Sequence, residues 1–301
     1  MSRTSTGSGA HRSVTDVAVV MVTWNSAEHL PVALASLEAG LRGLRWRLVV
    51  ADNDSADDTV AVVRRLAPDA AIVHTGRNAG YAAGLNLAID RAGEADAVLC
   101  LNPDVRLEPD CVRTMVEAAQ HPGVGIVAPR LVDEQGRLHR SLRREPRVTR
   151  ALGEALIGGS RAGRFGITGE VITRPEAYES GRDVDWATGA VLLVTSACQR
   201  ATGPWDESFF LYSEETDYAL RARDAGYTVR YCPEAVAMHV GGDSGVSSRL
   251  YALLTVNRIR LYGMRHGRLP TWLFRGAVVL GELVRSRRPV HRAALRAVVR
   301  A

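Results

Sequence analysis

The feature that most constrains this chain is a repeated switch between two hydrophobic periods. Four short apolar runs, at residues 17–24 (VAVVMVTW), 47–51 (RLVVA), 71–74 (AIVH) and 97–101 (AVLCL), are separated by longer segments. Runs of that length without polar alternation read as strands covered on both faces. Between the first two, 26–40 carries Leu30, Ala33, Leu34 and Leu37 at helical spacing, and 57–66 and 81–92 read as further helices. Strand–helix alternation predicts an α/β fold with a parallel sheet flanked by helices. In such sheets, ligands gather at the C-terminal ends of the strands.

The later chain is less regular. Strands are expected at 124–129, 185–194, 228–231 and 235–239, a helix inside 209–226, and helices from 249 onward. The basic stretch 137–150 ends in no clear element, and 152–181 reads as a Gly-rich loop. No internal repeat is visible. At 301 residues the chain holds one large or two small domains. The boundaries expected are a disordered tail over 1–13, a body over 14–248 that divides near 110, and a basic helical extension over 249–301.

Charge sharpens that division. All 38 basic residues are Arg, and the formal net charge is +5. Residues 249–301 carry +11, so the body carries −6. A basic tail suggests an anionic partner, nucleic acid or a lipid surface. Arg258, Arg265, Arg268 and Arg275 alternate with Leu250, Leu254, Leu261, Trp272 and Phe274, a mixture typical of helices lying on a membrane. The plainer alternative is helices packed on the body with solvated Arg. Nucleic acid is set aside, because nothing in the body needs it. The stretch 271–284 is broken by Arg275 and Glu282, and it is shorter than the ~20 residues of a spanning helix. Cys100, Cys111, Cys198 and Cys232 lack CxxC spacing and read as buried thiols, in keeping with a reducing cytoplasm. The opening MSRTSTGSGAHRS has no apolar core and does not read as a signal peptide.

Five stretches carry chemistry. The fourth strand stops at Asn102-Pro103-Asp104, since Pro103 cannot donate to a sheet ladder. Asp104 there is a turn residue or a metal ligand. After the second strand, Asp52, Asn53, Asp54 and Ser55 exceed what one helix cap needs. A carboxylate at Asp52 suits the ring N–H of a uracil or thymine base, or simply a cap. In NAGYAAGLN (78–86), Gly80, Ala82, Ala83 and Gly84 allow close backbone approach to a ligand, or tight helix–sheet packing. Glu214, Glu215 and Asp217 follow the apolar run FFLY, and three acids also suit the first turn of a helix. Crowded carboxylates raise one another's pKa, which suits a general base. His239 ends a strand before two glycines, and is a ligand only if the fold brings it to Asp104.

In this order, the segments VTWN (22–25), ADNDSADD (51–58), NAGYAAGLN (78–86), LNPD (101–104), TGAVLL (188–193), WDESFFLYSEETDYALRARDAG (205–226) and MHVGGDS (238–244) resemble the family 2 glycosyltransferases. These are inverting enzymes of the GT-A fold, and the likeness is strongest to bacterial rhamnosyltransferase-like members. The resemblance spans residues 17–244 and implies a Rossmann-like mixed sheet flanked by helices. It implies that Asp52 contacts the base, that Val22, Thr23, Trp24 and Asn25 line its pocket, and that Asn78, Gly80 and Tyr81 lie beside the nucleotide sugar. Asn102 and Asp104 stand for the family's Asp-any-Asp motif, with Asp104 and His239 holding Mg²⁺ or Mn²⁺. Glu214-Glu215 matches the Glu-Asp pair whose second member is the usual base, so Glu215 is the expected base, with Glu214 and Asp217 beside it. Two positions depart from the pattern: Asn102 replaces the first acid of the metal motif, and Glu215 is one methylene longer than the usual Asp.

The implied activity is metal-dependent, inverting hexosyl transfer from a UDP- or dTDP-sugar to a hydroxyl acceptor, in cell-wall, polysaccharide or glycolipid synthesis. Rhamnose is among the sugars it brings in, and a polyprenyl-linked glycolipid among the acceptors. The enzyme is then expected in the cytoplasm, peripheral on the inner face of the membrane. A nicotinamide-dependent dehydrogenase is excluded, because TWNSAEHLP after the first strand has no glycine for a phosphate turn. A nucleotidyltransferase would also use Asp104 and a metal. A non-catalytic relative that only binds sugar nucleotides is the remaining alternative.

Overall fold

A computed structural model describes residues 15–240 and 247–300. The expected tail over 1–13 and the glycines after His239 lie outside the described residues. The first half follows the predicted alternation: β1 (Asp16–Thr23), α1 (Leu30–Gly40), β2 (Arg45–Asp52), α2 (Thr59–Leu66), β3 (Ala71–His74), α3 (Tyr81–Ala92) and β4 (Ala97–Leu101). The rest comprises β5 (Val105–Leu107), α4 (Cys111–Ala119), β6 (Val124–Val132), β7 (Leu142–Arg143), α5 (Val148–Ile157), α6 (Gly159–Ala162), β8 (Arg182–Val184), β9 (Trp186–Ala187), β10 (Val191–Thr195), α7 (Ser196–Thr202), α8 (Glu214–Asp224), β11 (Thr228–His239), α9 (Ser248–Arg265), α10 (Arg268–Val284) and α11 (Pro289–Arg300).

The sheet runs β3-β2-β1-β4-β10-β6-β11-β5, with β8 also on β11. It is mixed, as the resemblance implied, and alternation alone was wrong beyond β4. β3, β2, β1 and β4 are parallel, whereas β10 runs antiparallel to both β4 and β6. Period two decides which face each β1 side chain joins. Val17, Val19 and Met21 enter one core with α1 and α4; Ala18, Val20 and Val22 enter the other with α3 and α8. All four cysteines are buried free thiols, as expected, and burial pushes Cys100 and Cys111 up to about 12.

Two regions depart from expectation. The segment 152–181 holds the end of α5, all of α6 and a 3-10 turn over Pro175–Tyr178. α5 lacks an apolar core stripe because Leu152, Leu156 and Ile157 face outward, while Ala151 and Ala155 face inward. What α5 packs on is α10: Ala151 shares a satellite core with Tyr262, Phe274, Ala277 and Val278. The two short strands expected over 228–239 are one strand, β11, irregular between Cys232 and Val236.

The C-terminal arginines are also redistributed. Arg258 is half-buried between Glu154 (2.8 Å) and Glu170 (2.6 Å), Arg265 pairs with Asp224 (2.6 Å), and Arg275 donates to the Val298 carbonyl. Leu261 and Phe274 are core residues. That face of the extension therefore packs against the body. The outward face of α10 carries Leu269, Trp272, Leu273, Leu280, Leu283 and Val284, all exposed. Among the described residues, no helix is long and apolar enough to cross a membrane.

Candidate active site

Parallel pairing of β1 with β2 sets Thr23 beside Asp52 at the C-terminal edge. Asp52 is buried and its carboxylate is already engaged. Thr23 Oγ1 (3.1 Å) and Ser55 Oγ (2.6 Å) donate to Oδ1, the Ser55 N–H donates to Oδ2 (3.1 Å), and His74 Nδ1 lies 3.7 Å away. Asn25, in the left-handed region (φ 50°), donates from its N–H to Ser55 Oγ (2.9 Å), and its Oδ1 accepts from Ala56 N–H (2.8 Å). Trp24 stands on this lip, 56% exposed. The Val22 side chain, in contrast, is in the core, where a Cβ on Gly84 would come within 2.6 Å of it. Gly84 thus serves helix–sheet packing. Any contribution of Val22 to a pocket would come from its backbone.

The turn before α3 is locked to a distant loop. Gly80 has φ +92°, and a Cβ there would run into the Phe210 carbonyl. The Tyr81 N–H donates to that same carbonyl (2.9 Å), Asn53 Nδ2 donates to the Gly80 carbonyl (2.9 Å), and Asn78 Oδ1 accepts from Gly80 N–H (3.2 Å). The segment 78–81 is thereby held against the run that leads into α8. The Tyr81 hydroxyl reaches the Gly189 carbonyl (3.4 Å). Its pKa is driven well up, first by burial and then by the charges of Cys100, Glu214, Glu215 and Asp104.

Asp104 and His239 meet through strand register. β5 pairs antiparallel with β11, and Val105 is opposite His239. His239 Nε2 lies 3.2 Å from Asp104 Oδ2. Burial works to raise the Asp104 carboxyl, but the hydrogen bond and charge of His239 hold it below the ordinary range. Asp104 Oδ1 and His239 Nδ1 are buried without hydrogen-bond partners among the described residues. An orphaned carboxylate oxygen beside an imidazole fits a hard divalent cation. Among the described residues no third His, Cys, Asp or Glu joins them. Asn102 is tied in by its backbone, its N–H donating to the Ala190 carbonyl (2.9 Å).

α8 begins after two consecutive left-handed residues, Tyr212 (φ 69°) and Ser213 (φ 77°). Such backbone costs about 1–3 kcal/mol per residue and persists only where the surroundings over-determine it. Here α9 does so: Asn257 Nδ2 donates to the carbonyls of Leu211 (2.9 Å) and Tyr212 (3.2 Å). Glu214 is 3% exposed, and the Oε2 atoms of both Glu214 and Glu215 are buried without partners among the described residues. Burial, then the charge of Glu215, pushes Glu214 well above the ordinary carboxylate range. Burial also raises Glu215, opposed by backbone hydrogen bonds and by the Arg143 guanidinium. Glu215 lines up with Gly189, where a Cβ would lie 3.3 Å from its own. Asp217 is committed elsewhere. It bonds Arg221 (2.7 Å), which also donates to the carbonyls of Thr202 and Pro204. We propose that Asp217 supports α8 and that the carboxylates free for chemistry are Glu214 and Glu215.

These raised values predict how stability depends on pH. Above the unfolded glutamate value of about 4.3, the native pair keeps protons that the unfolded chain gives up, so stability falls as pH rises. Glu214→Gln is expected to melt above wild type at pH 8, with the difference shrinking toward pH 4, as read by thermal denaturation.

Sequence reasoning missed Arg143 and Asn257. Arg143 lies in the basic stretch left without an element, and its role depends on β7 pairing with β9, which places it opposite Trp186. Asn257 reads as one polar residue in a helix. Only the packing of α9 against residues 211–212 reveals what it holds.

The sequence model of Glycosyl transferase family 2 matches residues 18–172, and that of Glycosyl transferase family group 2 matches 97–255. The chain is 31% identical over 238 residues to the N-acetylglucosaminyl-diphospho-decaprenol L-rhamnosyltransferase of Mycobacterium tuberculosis, covering 75% of this chain and 76% of that protein. It is 24% identical over 228 residues to the low-salt glycan biosynthesis hexosyltransferase Agl10 of Haloferax volcanii, covering 74% and 67%. Its fold resembles the mannosyltransferase PcManGT of Pyrobaculum calidifontis, solved with GDP-Man and Mn²⁺. The TM-score is 0.58 at 17% identity, over 96% of this chain and 76% of that one.

Proposed function

The chain belongs to glycosyl transferase family 2 and is a glycosyltransferase, and on that premise we propose that it moves a sugar, with inversion, from a UDP- or dTDP-sugar to a hydroxyl of a polyprenyl-linked acceptor. The name of the mycobacterial relative supports rhamnose as the sugar and a lipid diphosphate as the acceptor's carrier. The observation that carries the reading is the turn at 189–190: the Tyr81 hydroxyl reaches the Gly189 carbonyl (3.4 Å), a Cβ on Gly189 would lie 3.3 Å from that of Glu215, and the Asn102 N–H donates to the Ala190 carbonyl (2.9 Å). This supports a diphosphate site at Asp104 close to a base at Glu215.

The roles follow from chemistry. Asp52, oriented by Thr23 and Ser55, accepts the ring N–H of uracil or thymine, and Trp24 offers a face for the base. Asn78, Gly80 and Tyr81 border the donor sugar. Asp104 and His239 would hold Mg²⁺ or Mn²⁺, as hard cations with few protein ligands take their remaining oxygens from phosphate. Such an ion supplies neutralisation of the charge that grows on the leaving diphosphate. Glu215 takes the proton from the acceptor hydroxyl, which attacks the face opposite the leaving group, and one displacement inverts the anomeric centre. Positioning and electrostatics do the rest.

A panel of nucleotide sugars tests the reading. One UDP- or dTDP-sugar is expected to raise the melting temperature and to release nucleoside diphosphate slowly in the presence of Mg²⁺ or Mn²⁺. Release of pyrophosphate would instead indicate a nucleotidyltransferase, and binding without turnover a non-catalytic relative.

The exposed stripe on α10 supports membrane-surface attachment in place of the arginine pattern first considered. The triple substitution Trp272→Ser, Leu273→Ser, Leu283→Ser is expected to reduce co-sedimentation with anionic vesicles several-fold. Wild-type protein left wholly in the supernatant with every vesicle and salt would remove the membrane from the account.

A further inference from the structure

We propose that an arginine-lined cavity next to Glu215 is the subsite for the diphosphate of a lipid-linked acceptor, a proposal that rests on the glycosyltransferase reading. The cavity, of about 1280 Å³, lies between residues 140–144, the α6 region through 177, and 182–185, and it contains none of Asp52, Asn102 and Asp104. Seven arginines line it against three acids. Two of those acids are taken up: Asp183 pairs with Arg230 (3.1 Å), and Asp185 accepts from the Glu145 N–H (2.7 Å) and lies near Arg150 and Arg223. Among the described residues, Arg161, Arg164 and Arg174 form no ion pair. Arg144 is held low by burial and by the neighbouring charges of Arg182 and Arg174, although Asp185 opposes the shift. Among the lining residues the arginines thus outnumber the acids, and Arg161, Arg164 and Arg174 are left without an acidic partner among the described residues.

Three features favour a diphosphate over a merely solvated basic face. Guanidinium forks match phosphate oxygens two at a time, and a diphosphate can engage several at once. The cavity also adjoins the reaction: Arg143 lines it, stacks over Trp186 (5.7 Å) and acts on Glu215 by its charge. From Trp186, three residues along the chain reach Gly189, which touches Glu215; the span is at most about 10 Å. One sugar on a diphosphate bridges a gap of that order, with its hydroxyl at Glu215. Finally, Phe165 and Ile167 line the same cavity and are 52% and 71% exposed, an apolar lip where an isoprenoid chain could leave.

The test uses the full chain and the triple variant Arg161→Ala, Arg164→Ala, Arg174→Ala, all surface side chains. Methylenediphosphonate is expected to stabilise the wild type thermally, and the variant to bind it at least ~10-fold more weakly while retaining stabilisation by UDP or dTDP. Inorganic phosphate at equal ionic strength should stabilise neither, and both proteins should sediment equally with phosphatidylglycerol vesicles. With a prenyl-diphosphate-linked sugar as acceptor, kcat/KM should fall ~10²-fold in the variant, chiefly through KM. With a neutral alkyl glycoside of that sugar it should change less than ~3-fold. Unchanged diphosphonate binding overturns the proposal, as does equal loss with both acceptors. Vesicle binding lost together with the diphosphonate response overturns it as well, by marking a general lipid-headgroup site. If wild type shows neither nucleotide stabilisation nor transfer, the glycosyltransferase reading fails, while the diphosphonate comparison still judges the cavity.

Discussion

Glu215→Gln is expected to lower turnover at least ~10²-fold while leaving nucleotide-sugar affinity unchanged. Gln keeps the size of the side chain and removes only its capacity to accept a proton. General-base assistance is worth ~10²–10⁴-fold, so the loss should fall in that window. Glu215 carries a buried oxygen without a partner among the described residues, abuts Gly189 and feels Arg143. Glu214 is set deeper and is pushed further toward its protonated form. A raised pKa has a kinetic consequence: kcat/KM in the wild type should climb with pH through a limb above the ordinary glutamate value of about 4.3, because the base must be ionised. Glu214→Gln should cost less in turnover than Glu215→Gln. The reverse order would move the base one residue earlier.

Asp104→Ala is expected to abolish cation-dependent nucleotide binding and to reduce transfer by about 10²–10³-fold, the usual cost of removing a group that stabilises developing charge. The effect should be large because Asn102 takes the place of the first acid, so Asp104 is the carboxylate available to the ion. His239 would also lose its 3.2 Å partner. The pair is separated by 135 positions in sequence and brought together by the β5–β11 register, so the substitution should leave the rest of the sheet intact. Far-UV circular dichroism should be unchanged, and calorimetry with the nucleotide should lose its dependence on Mn²⁺ or Mg²⁺. Full wild-type turnover in excess EDTA would remove the cation from the mechanism.

How much was legible varied with the range of the interaction. β1 to β4 and the helices between them were readable because their signals are local, with apolar runs buried on both faces and stripes at helical spacing. α5 was not, because its outward face is apolar and its inward face small, the reverse of an ordinary amphipathic helix; its partner α10 lies more than a hundred residues away. Arg258 and Arg265 were likewise illegible, because their partners are distant in sequence. Arg258 looks like a surface charge until α5 and residue 170 bring Glu154 and Glu170 to it.

The sequence by itself determined the class of fold, the family, and which residue types stand at the strand ends. Strand period, helix period and the order of short motifs are properties of neighbouring residues, and they survive without coordinates. Tertiary structure alone decided which of those residues act on one another. Antiparallel register brought His239 to Asp104, a positive-φ glycine against the Phe210 carbonyl fixed the turn that carries Tyr81, and an asparagine of α9 holds the left-handed entry to Glu214 and Glu215. It also anchored Arg221, the i+4 partner of Asp217, on the carbonyls of Thr202 and Pro204, which commits Asp217 away from its neighbours. Desolvation and charge proximity act through space, so a carboxylate's pKa and its freedom to take a proton depend on contacts that sequence spacing does not encode.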